Sequence, residues 1–208
     1  MSKSYRQYCP IAHALDLVGE RWSLLIVREL LACGPRRYSD LADHLGGCGT
    51  NILAARLKDL ERNGVLRKRR LPPPAGSTVY ELTDYGEELR PVVHQLAHWG
   101  LRSLEPPTAN DELRAGWLPA ALRTAFPPNP TDTCIEFRIG DERAAFVDGD
   151  VRAGSADDPD TIVEGDAEAL YHLVVDRDLD AVAVSGRRDA VRNLLATLPE
   201  RGGAEISP

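Results

Sequence analysis

The sequence predicts an α+β protein in two parts, and three observations lead to this fold class. In the first half, apolar residues recur at helical spacing in several short segments that are followed by two candidate strands. In the second half, short strand-like runs alternate with amphipathic helices. A proline-containing segment, residues 105–110, lies between the halves and is typical of a linker. We therefore expect domains at residues 1–105 and 111–208.

Charge is distributed unevenly between the two halves of the 208-residue chain, whose formal net charge is −7. Residues 1–105 contain 15 Lys and Arg against 12 Asp and Glu, a net charge of +3. Residues 106–208 contain 10 basic against 20 acidic residues, a net charge of −10. This asymmetry predicts two units with different partners.

The sequence predicts a cytoplasmic protein that does not associate with a membrane. No apolar run approaches the length needed to cross a bilayer, and the first six residues lack the apolar core of a secretion signal. The cysteines show neither CxxC nor zinc-ligand spacing, which predicts free thiols in a reducing compartment. They are Cys9, Cys33, Cys48 and Cys134.

Two helices are predicted at the start of the chain, over residues 11–18 and 22–33. The second has apolar residues on all sides and is therefore expected at the centre of the first half. A third helix is expected to begin near Ser39 as its N-cap, with Tyr38 packing outside it. Gly46-Gly47 would end this helix.

A fourth helix is predicted to begin near residues 49–51, and its buried stripe is Leu53, Leu57 and Leu60. Residues 65–71 and 78–82 then predict paired strands with a Pro-rich connection. Thr83 is the expected N-cap of a long helix over residues 84–104, which Pro91 should kink.

This order of helix, tight turn, helix and charged hairpin is one by which proteins place one helix in the major groove and the hairpin beside it. Asn pairs with adenine edges, Lys reaches guanine or a phosphate, and basic residues at a helix N-terminus hold phosphates. The basic run of the hairpin would follow the DNA backbone. The alternative is that the charge run is solvated surface and the Leu spacing only core. The predicted contacts with double-stranded DNA are Arg36, Arg37, Ser39, Thr50, Asn51, Ala55, Arg56, Lys58, Arg67, Lys68, Arg69 and Arg70.

Several segments of the first half match one known family in order and spacing. They are residues 9–12, 15–30, 34–41 and 80–86, with Leu53, Arg56, Leu57, Leu60, Glu61 and Gly64 between them. Through these segments the chain resembles the HxlR-type winged helix-turn-helix regulators. The resemblance implies a winged helix that dimerises through its first and last helices and regulates transcription at palindromic operators. The chain departs from the family at Cys48 and Gly49, where a small apolar residue and a Ser are usual, and at the wing tip, 75–77, which lacks the frequent Arg.

The predicted helix over residues 84–104 has more apolar residues than a small domain can cover, which agrees with the implied homodimer. The expected interface residues are Leu89, Val92, Leu96 and Trp99. Cys9 matches the position of a thiol that some relatives of the family use to sense oxidants or electrophiles. A redox-responsive regulator is therefore an alternative function, and an inert, half-buried Cys9 thiol is the alternative to that.

In the second half, a helix interrupted by Pro119 is predicted over residues 113–126. Further elements follow it: strands over 133–139, 143–147, 161–164 and 181–185, and helices over 167–176 and 189–198. The pattern of strand, Gly turn and helix over residues 162–191 resembles the C-terminal part of the sterol-carrier-protein fold, whose sheet and helices enclose an apolar tunnel.

This second resemblance implies a regulatory domain that binds a small apolar, lipid-like ligand. The alternative is that the residues concerned are ordinary core and that the domain is structural or docks a partner. The candidate tunnel walls are Leu118, Leu122, Phe126, Phe137, Phe146, Leu170, Leu173 and Leu194.

The sequence contains no nucleophile elbow, P-loop, GxGxxG or HExxH pattern. We therefore expect no enzymatic activity, no cofactor and no metal. His94 and His98 are four residues apart on one predicted helix and would make half a metal site, but a surface or interface pair is the simpler interpretation.

Overall fold

The computed structural model describes residues 4–74, 76–108, 111, 116–126 and 133–198, which fall into two units, residues 1–93 and 94–208. The wing-tip residue Ala75, the linker residues Ala109 and Asn110, and Leu113, the predicted start of a helix, lie outside the described residues.

The first unit contains helices, then a two-stranded antiparallel hairpin, then more helix. Its elements are α1 Pro10–Val18, α2 Ser23–Cys33, α3 Tyr38–His44, α4 Thr50–Arg62, β1 Leu66–Arg70, β2 Thr78–Leu82, α5 Asp84–Glu87 and α6 Arg90–Leu101, the last of which continues into the second unit.

The core of the first unit forms around α2, as its apolar sequence predicts. Ile26 and Val27 of α2 are fully buried. The stripe of α4 packs into the same cluster, because Leu53, Leu57 and Leu60 recur at a spacing that keeps them on one side of the helix. The opposite side of α4 is left for solvent.

Helix α3 begins one residue before the expected N-cap. Tyr38 is its first residue and Arg37 is the N-cap, so the predictions of Ser39 as cap and of Tyr38 outside the helix were wrong. Asp40 is the reason, because its carboxylate accepts a 3.0 Å hydrogen bond from the Arg37 backbone N–H and closes the first turn. The Ser39 hydroxyl instead donates to the other Asp40 oxygen at 3.2 Å.

The long helix expected after Thr83 is two helices, α5 and α6. Thr83 caps α5 as predicted, since its hydroxyl accepts the Gly86 N–H at 3.1 Å. Pro91 is the second residue of α6, where a backbone N–H would have no helical acceptor, so the proline starts a helix instead of kinking one.

The junction of the hairpin with α5 is tight. The backbone N–H of Thr83 donates to the Val65 carbonyl oxygen at 3.1 Å, and its hydroxyl lies 3.2 Å from the same oxygen. A Cβ at Gly86 would lie 2.0 Å from that oxygen, so only glycine fits there.

The second unit is a five-stranded sheet with helices. Its elements are α7 Trp117–Ala125, β3 Ile135–Ile139, β4 Glu142–Val147, β5 Asp150–Ala153, β6 Thr161–Gly165, α8 Ala167–Tyr171, a π-helical turn His172–Asp176, β7 Ala183–Gly186 and α9 Arg188–Leu195. The strand order is β5-β4-β3-β6-β7, in which β3 and β6 are parallel and the other neighbours antiparallel.

Strand β5 was absent from the sequence-based prediction. Val147 pairs with Asp150, so Asp148 and Gly149 alone form the turn between β4 and β5. Both have positive φ, 52° and 77°, as a tight hairpin turn requires. The helix predicted over residues 167–176 is likewise divided, because its second half, from His172, is a π-helical turn.

In the described part of the chain, no helix combines the length and the apolar character that crossing a bilayer requires.

Candidate nucleic-acid interface

The outer face of α4 is small and polar. Asn51, Ala54, Ala55 and Lys58 are all exposed, as is Thr50 at the first position of the helix. Short side chains here allow the helix backbone to approach another surface closely, while Asn and Lys supply hydrogen-bond donors and an acceptor. Lys58 forms no ion pair with any residue that the structure describes. This face has the composition that a helix in the major groove needs.

Helix α4 is positioned by α3. The Tyr38 hydroxyl donates a 2.8 Å hydrogen bond to the backbone carbonyl of Thr50, and Tyr38 itself is half-buried against the core. The two residues begin their respective helices, so this bond sets the start of α4 relative to the start of α3.

The basic residues before α3 are placed at the base of the wing. Arg36 pairs with Tyr80 of β2 through two backbone hydrogen bonds of 3.0 and 2.7 Å. Arg37 follows as the exposed N-cap of α3, and Ser39 is exposed in the first turn. The backbone pairing of Arg36 thus brings the start of α3 next to the wing.

Arg56 is held by two carboxylates of the first unit, and its side chain is less exposed than those of the wing arginines. Its Nη1 lies 3.3 Å from Glu20 and its Nη2 lies 3.2 Å from Asp59, and the side chain is mostly buried. A guanidinium engaged by two carboxylates in this way is suited to fixing α4 beside the α1–α2 turn.

Two wing arginines share one carboxylate. Arg67 and Arg69 point to the same face of β1, and their Nε atoms lie 2.8 and 2.6 Å from the two oxygens of Glu81 on β2. Hydrogen bonds from Arg69 and Arg67 hold the pKa of the Glu81 carboxyl below its usual range.

The other two basic residues of the wing, Lys68 and Arg70, lie on the opposite face of β1. Lys68 is 2.9 Å from Glu61 at the end of α4 and stacks over the Tyr80 ring at 5.5 Å. The hydrogen bond with Glu61 raises the pKa of Lys68. Arg70 donates to the Gly76 carbonyl at 3.4 Å. All four basic side chains of the wing are exposed.

Three residues at this surface were missed from the sequence. Glu81 and Glu61 form ion pairs with basic residues of the wing. Pairing the two predicted strands in register would have placed Glu81 opposite Arg67. Ile52 is nearly half exposed on α4 beside Asn51. An exposed apolar residue in the first turn of this helix can contact a thymine methyl group.

Apolar side chains are exposed on two helices. On α6 these are Val92, Leu96 and Trp99, the last 67% exposed, and Leu89 just before the helix is half-buried. On α1, Ile11 and Leu15 are exposed one turn apart. Exposed apolar stripes of this kind are typical of surfaces that a partner covers.

Cys9 is the N-cap of α1 and is half-buried. Its backbone carbonyl accepts the His13 N–H at 2.9 Å. Burial raises the pKa of the thiols of Cys48 and Cys134, which disfavours a reactive thiolate at those positions.

The eight proposed tunnel residues of the second unit all belong to one buried cluster. Within it the Phe126 and Phe146 rings meet edge to face at 5.5 Å between centroids, and Phe137 and Phe146 at 6.1 Å. Side chains packed against one another in this way are typical of a core.

No group of three His, Cys, Asp or Glu side chains suited to a metal ion occurs among the described residues. The His94 and His98 rings are 6.5 Å apart, and His98 Nε2 donates to the Ala125 carbonyl at 2.7 Å. This hydrogen bond gives the His98 ring a partner other than a metal ion.

Comparison with known proteins gives matches for the first half of the chain. Residues 17–108 match the model of a family described as HxlR-like helix-turn-helix. An uncharacterized HTH-type transcriptional regulator from Synechocystis is 37% identical over 108 residues, which cover 52% of this chain and 79% of the relative. The HTH-type transcriptional regulator YodB of Bacillus subtilis is 32% identical over 99 residues, which cover 47% of this chain and 88% of the relative. The solved reduced form of YodB is 29% identical, spans 49% of this chain and 100% of its own, and has a TM-score of 0.40.

Proposed function

Because the chain belongs to the HxlR-like helix-turn-helix family of transcriptional regulators, we propose that it acts as a homodimer on palindromic operators. In this proposal α4 of each protomer enters the major groove, and the hairpin wing lies against the flanking backbone. The two half-sites would be about one helical turn apart, since a two-fold dimer presents its α4 helices to one side of the duplex.

One observation carries the proposal: the outer face of α4 is exposed and small while its inner face is fully buried. A helix that only filled the core would not need Asn51, Ala55 and Lys58 aligned on its outer side. The wing supports the same placement of the unit on DNA, because its four basic residues are exposed on β1, which follows the C-terminal end of α4.

The dimer in this proposal uses α6 and α1. Val92, Leu96 and Trp99 are spaced four and three residues apart, so they form one stripe along α6. A second copy would remove this stripe from water, at a gain of about 25 cal/mol for each Å² of apolar surface.

Operator selection tests the proposal directly. The full chain is incubated with a random 40-base-pair duplex library, and bound DNA is amplified and sequenced over several rounds. We expect an enriched inverted repeat, bound by the protein at a stoichiometry of two chains for each duplex. Recovery of no enriched sequence, or of a single unrepeated site bound by one chain, would contradict the proposal.

A second candidate function is redox control through Cys9, and the placement of this residue favours it. Cys9 is the N-cap of α1, and its thiol is only half-buried, so a small oxidant or electrophile can reach it. The test compares operator binding with and without a quinone or a disulfide-forming oxidant, in the wild-type chain and in Cys9→Ser. Redox control predicts a loss of binding in the wild type that Cys9→Ser abolishes, and an inert thiol predicts no loss in either chain.

The second unit is given a regulatory role in this proposal, and an apolar ligand held among its buried side chains stays a hypothesis. Such a ligand controls DNA binding only if it binds one arrangement of the protein better than another. Mass spectrometry of the purified chain under native conditions tests for a retained apolar molecule.

A further inference from the structure

Glu81 contacts two of the four consecutive basic residues of the wing, Arg67 and Arg69. The Glu81 side chain is only 11% exposed, whereas the side chains of Arg67 and Arg69 are 64% and 44% exposed. The strand register produces this arrangement, because Glu81 stands opposite Arg67, and Arg69 lies two residues further along the same face.

The contact uses one particular nitrogen of each arginine. Glu81 Oε1 accepts from Arg67 Nε and Oε2 accepts from Arg69 Nε, so both carboxylate oxygens are engaged. The Nη groups of both guanidinium ions are not committed to Glu81. Each arginine can therefore keep its bond to the carboxylate and still donate to a phosphate.

Leaving Glu81 is unfavourable for the two arginines. If both turned away to reach phosphates, the two charge-assisted hydrogen bonds to Glu81 would be lost. Arg67, Arg69 and Glu81 thus behave as one group with a net charge of +1 in place of +2, and the separation of the two guanidinium ions is restricted.

We propose that Glu81 is a specificity-determining residue of the wing, which reduces attraction to arbitrary DNA and positions Arg67 and Arg69 for the operator backbone. Counterion release favours every sequence alike, so cancelling one charge weakens non-specific binding. A restricted guanidinium geometry helps only where the phosphates are correctly placed, as at the operator. This inference rests on the proposed function, in which the first unit binds DNA.

The test measures fluorescence anisotropy of the full chain with two labelled duplexes, the selected operator and mixed-sequence genomic DNA, over a range of salt concentrations. Glu81→Gln should raise affinity for mixed-sequence DNA about fivefold at 0.15 M salt and steepen the log–log salt slope by about 0.9. Operator affinity should rise less, so the ratio of operator to mixed-sequence affinity should fall at least about twofold.

Two matched variants separate this effect from general ones. Glu88→Gln removes the same charge from an exposed residue of the same unit and should leave the affinity ratio unchanged. Glu81→Asp keeps the charge and should leave the salt slope at the wild-type value. A slope that steepens equally in Glu81→Asp, or a ratio that falls equally in Glu88→Gln, would overturn the inference.

The outcome also distinguishes this inference from the proposed function. If the wild type binds its operator but Glu81→Gln leaves both the ratio and the slope unchanged, the role of Glu81 is wrong and operator binding stands. If the wild type binds neither duplex, the proposed function is wrong, and the role of Glu81 falls with it.

Discussion

The hydroxyl of Tyr38 and the carbonyl oxygen of Thr50 are 2.8 Å apart, and this hydrogen bond links the first residue of α3 to the first residue of α4. The Tyr38 ring packs against the core, and this packing fixes the position of the hydroxyl. The orientation of α4, which carries the candidate base-reading face, therefore depends on a residue outside that helix.

Replacing Tyr38 by Phe should weaken both the fold and operator binding. The change removes one hydrogen bond, and we expect the free energy of unfolding to fall by about 0.5–1.5 kcal/mol. Urea denaturation measures this difference. Tyr85→Phe is the control, because Tyr85 is exposed on α5. An equal effect of both variants would remove the role given to the Tyr38 hydroxyl.

Replacing Asn51 by Ala should reduce discrimination between operator and unrelated DNA. If Asn51 pairs with a base edge, the loss is about 1–3 kcal/mol of specific binding, with non-specific binding unchanged. Anisotropy titration against both duplexes measures it. Asn193→Ala, at an exposed position of α9, is the matched control. Unchanged operator affinity in Asn51→Ala would show that α4 does not read bases through this residue.

A charge in the apolar stripe of α6 should dissociate the proposed dimer. Leu96→Glu would place a carboxylate among side chains that the partner buries, and burying an unpaired charge is strongly unfavourable. Sedimentation equilibrium should show monomers at micromolar concentration, with operator affinity reduced at least about tenfold. Asn193→Asp adds the same charge at an exposed position of α9 and should leave the wild-type mass. A wild-type chain that is already monomeric and binds the operator fully would contradict the dimer.

The stability contributed by Glu81 should depend on pH in a defined direction. Its pKa in the folded protein is lowered by Arg69 and Arg67. A lowered folded-state pKa stabilises the protein above the unfolded-state pKa, which is about 4.3 for Glu, and this contribution is lost as pH falls through the folded-state value. The wild type should thus exceed Glu81→Gln in stability at pH 7, and the difference should shrink below pH 4. A difference that is constant from pH 7 to pH 3 in urea titrations would contradict this.

A larger side chain at Leu122 distinguishes a packed core from a ligand cavity. Leu122 is buried on α7 within the aromatic cluster, so Leu122→Trp should lower the stability of the second unit by about 1–3 kcal/mol. Ala121→Trp, at the exposed neighbouring position, should have little effect. Thermal unfolding followed by circular dichroism measures both. Full tolerance of Leu122→Trp would favour a cavity and with it the apolar-ligand hypothesis.

The elements that the sequence predicts well are those specified by local spacing. Leu53, Leu57 and Leu60 define the buried side of α4 from their spacing alone, and Thr83 marks a helix start by its own side-chain chemistry. The family resemblance added the order of these elements and identified the matching first half correctly.

The predictions fail where the structure depends on a neighbouring side chain, on a two-residue turn or on the register of two strands. Ser39 is a good N-cap residue, but the carboxylate three residues after Arg37 made the earlier start more favourable. Strand β5 follows an Asp-Gly pair, Asp148-Gly149, which favours a hairpin turn, but the strand itself is short and polar and lacks the apolar alternation that predicts a strand. Glu81 required the register of two strands, which helical or strand periodicity alone does not supply.

The close approach of Gly86 to Val65 has a mechanical consequence. The Val65 carbonyl oxygen accepts from Thr83 and leaves no room for a side chain at position 86, so the end of the hairpin lies directly against the first turn of α5. A contact this close leaves the two elements little freedom to move independently of one another. A change in the orientation of α5 would therefore be passed to the hairpin, whose strand β1 carries Arg67 and Arg69.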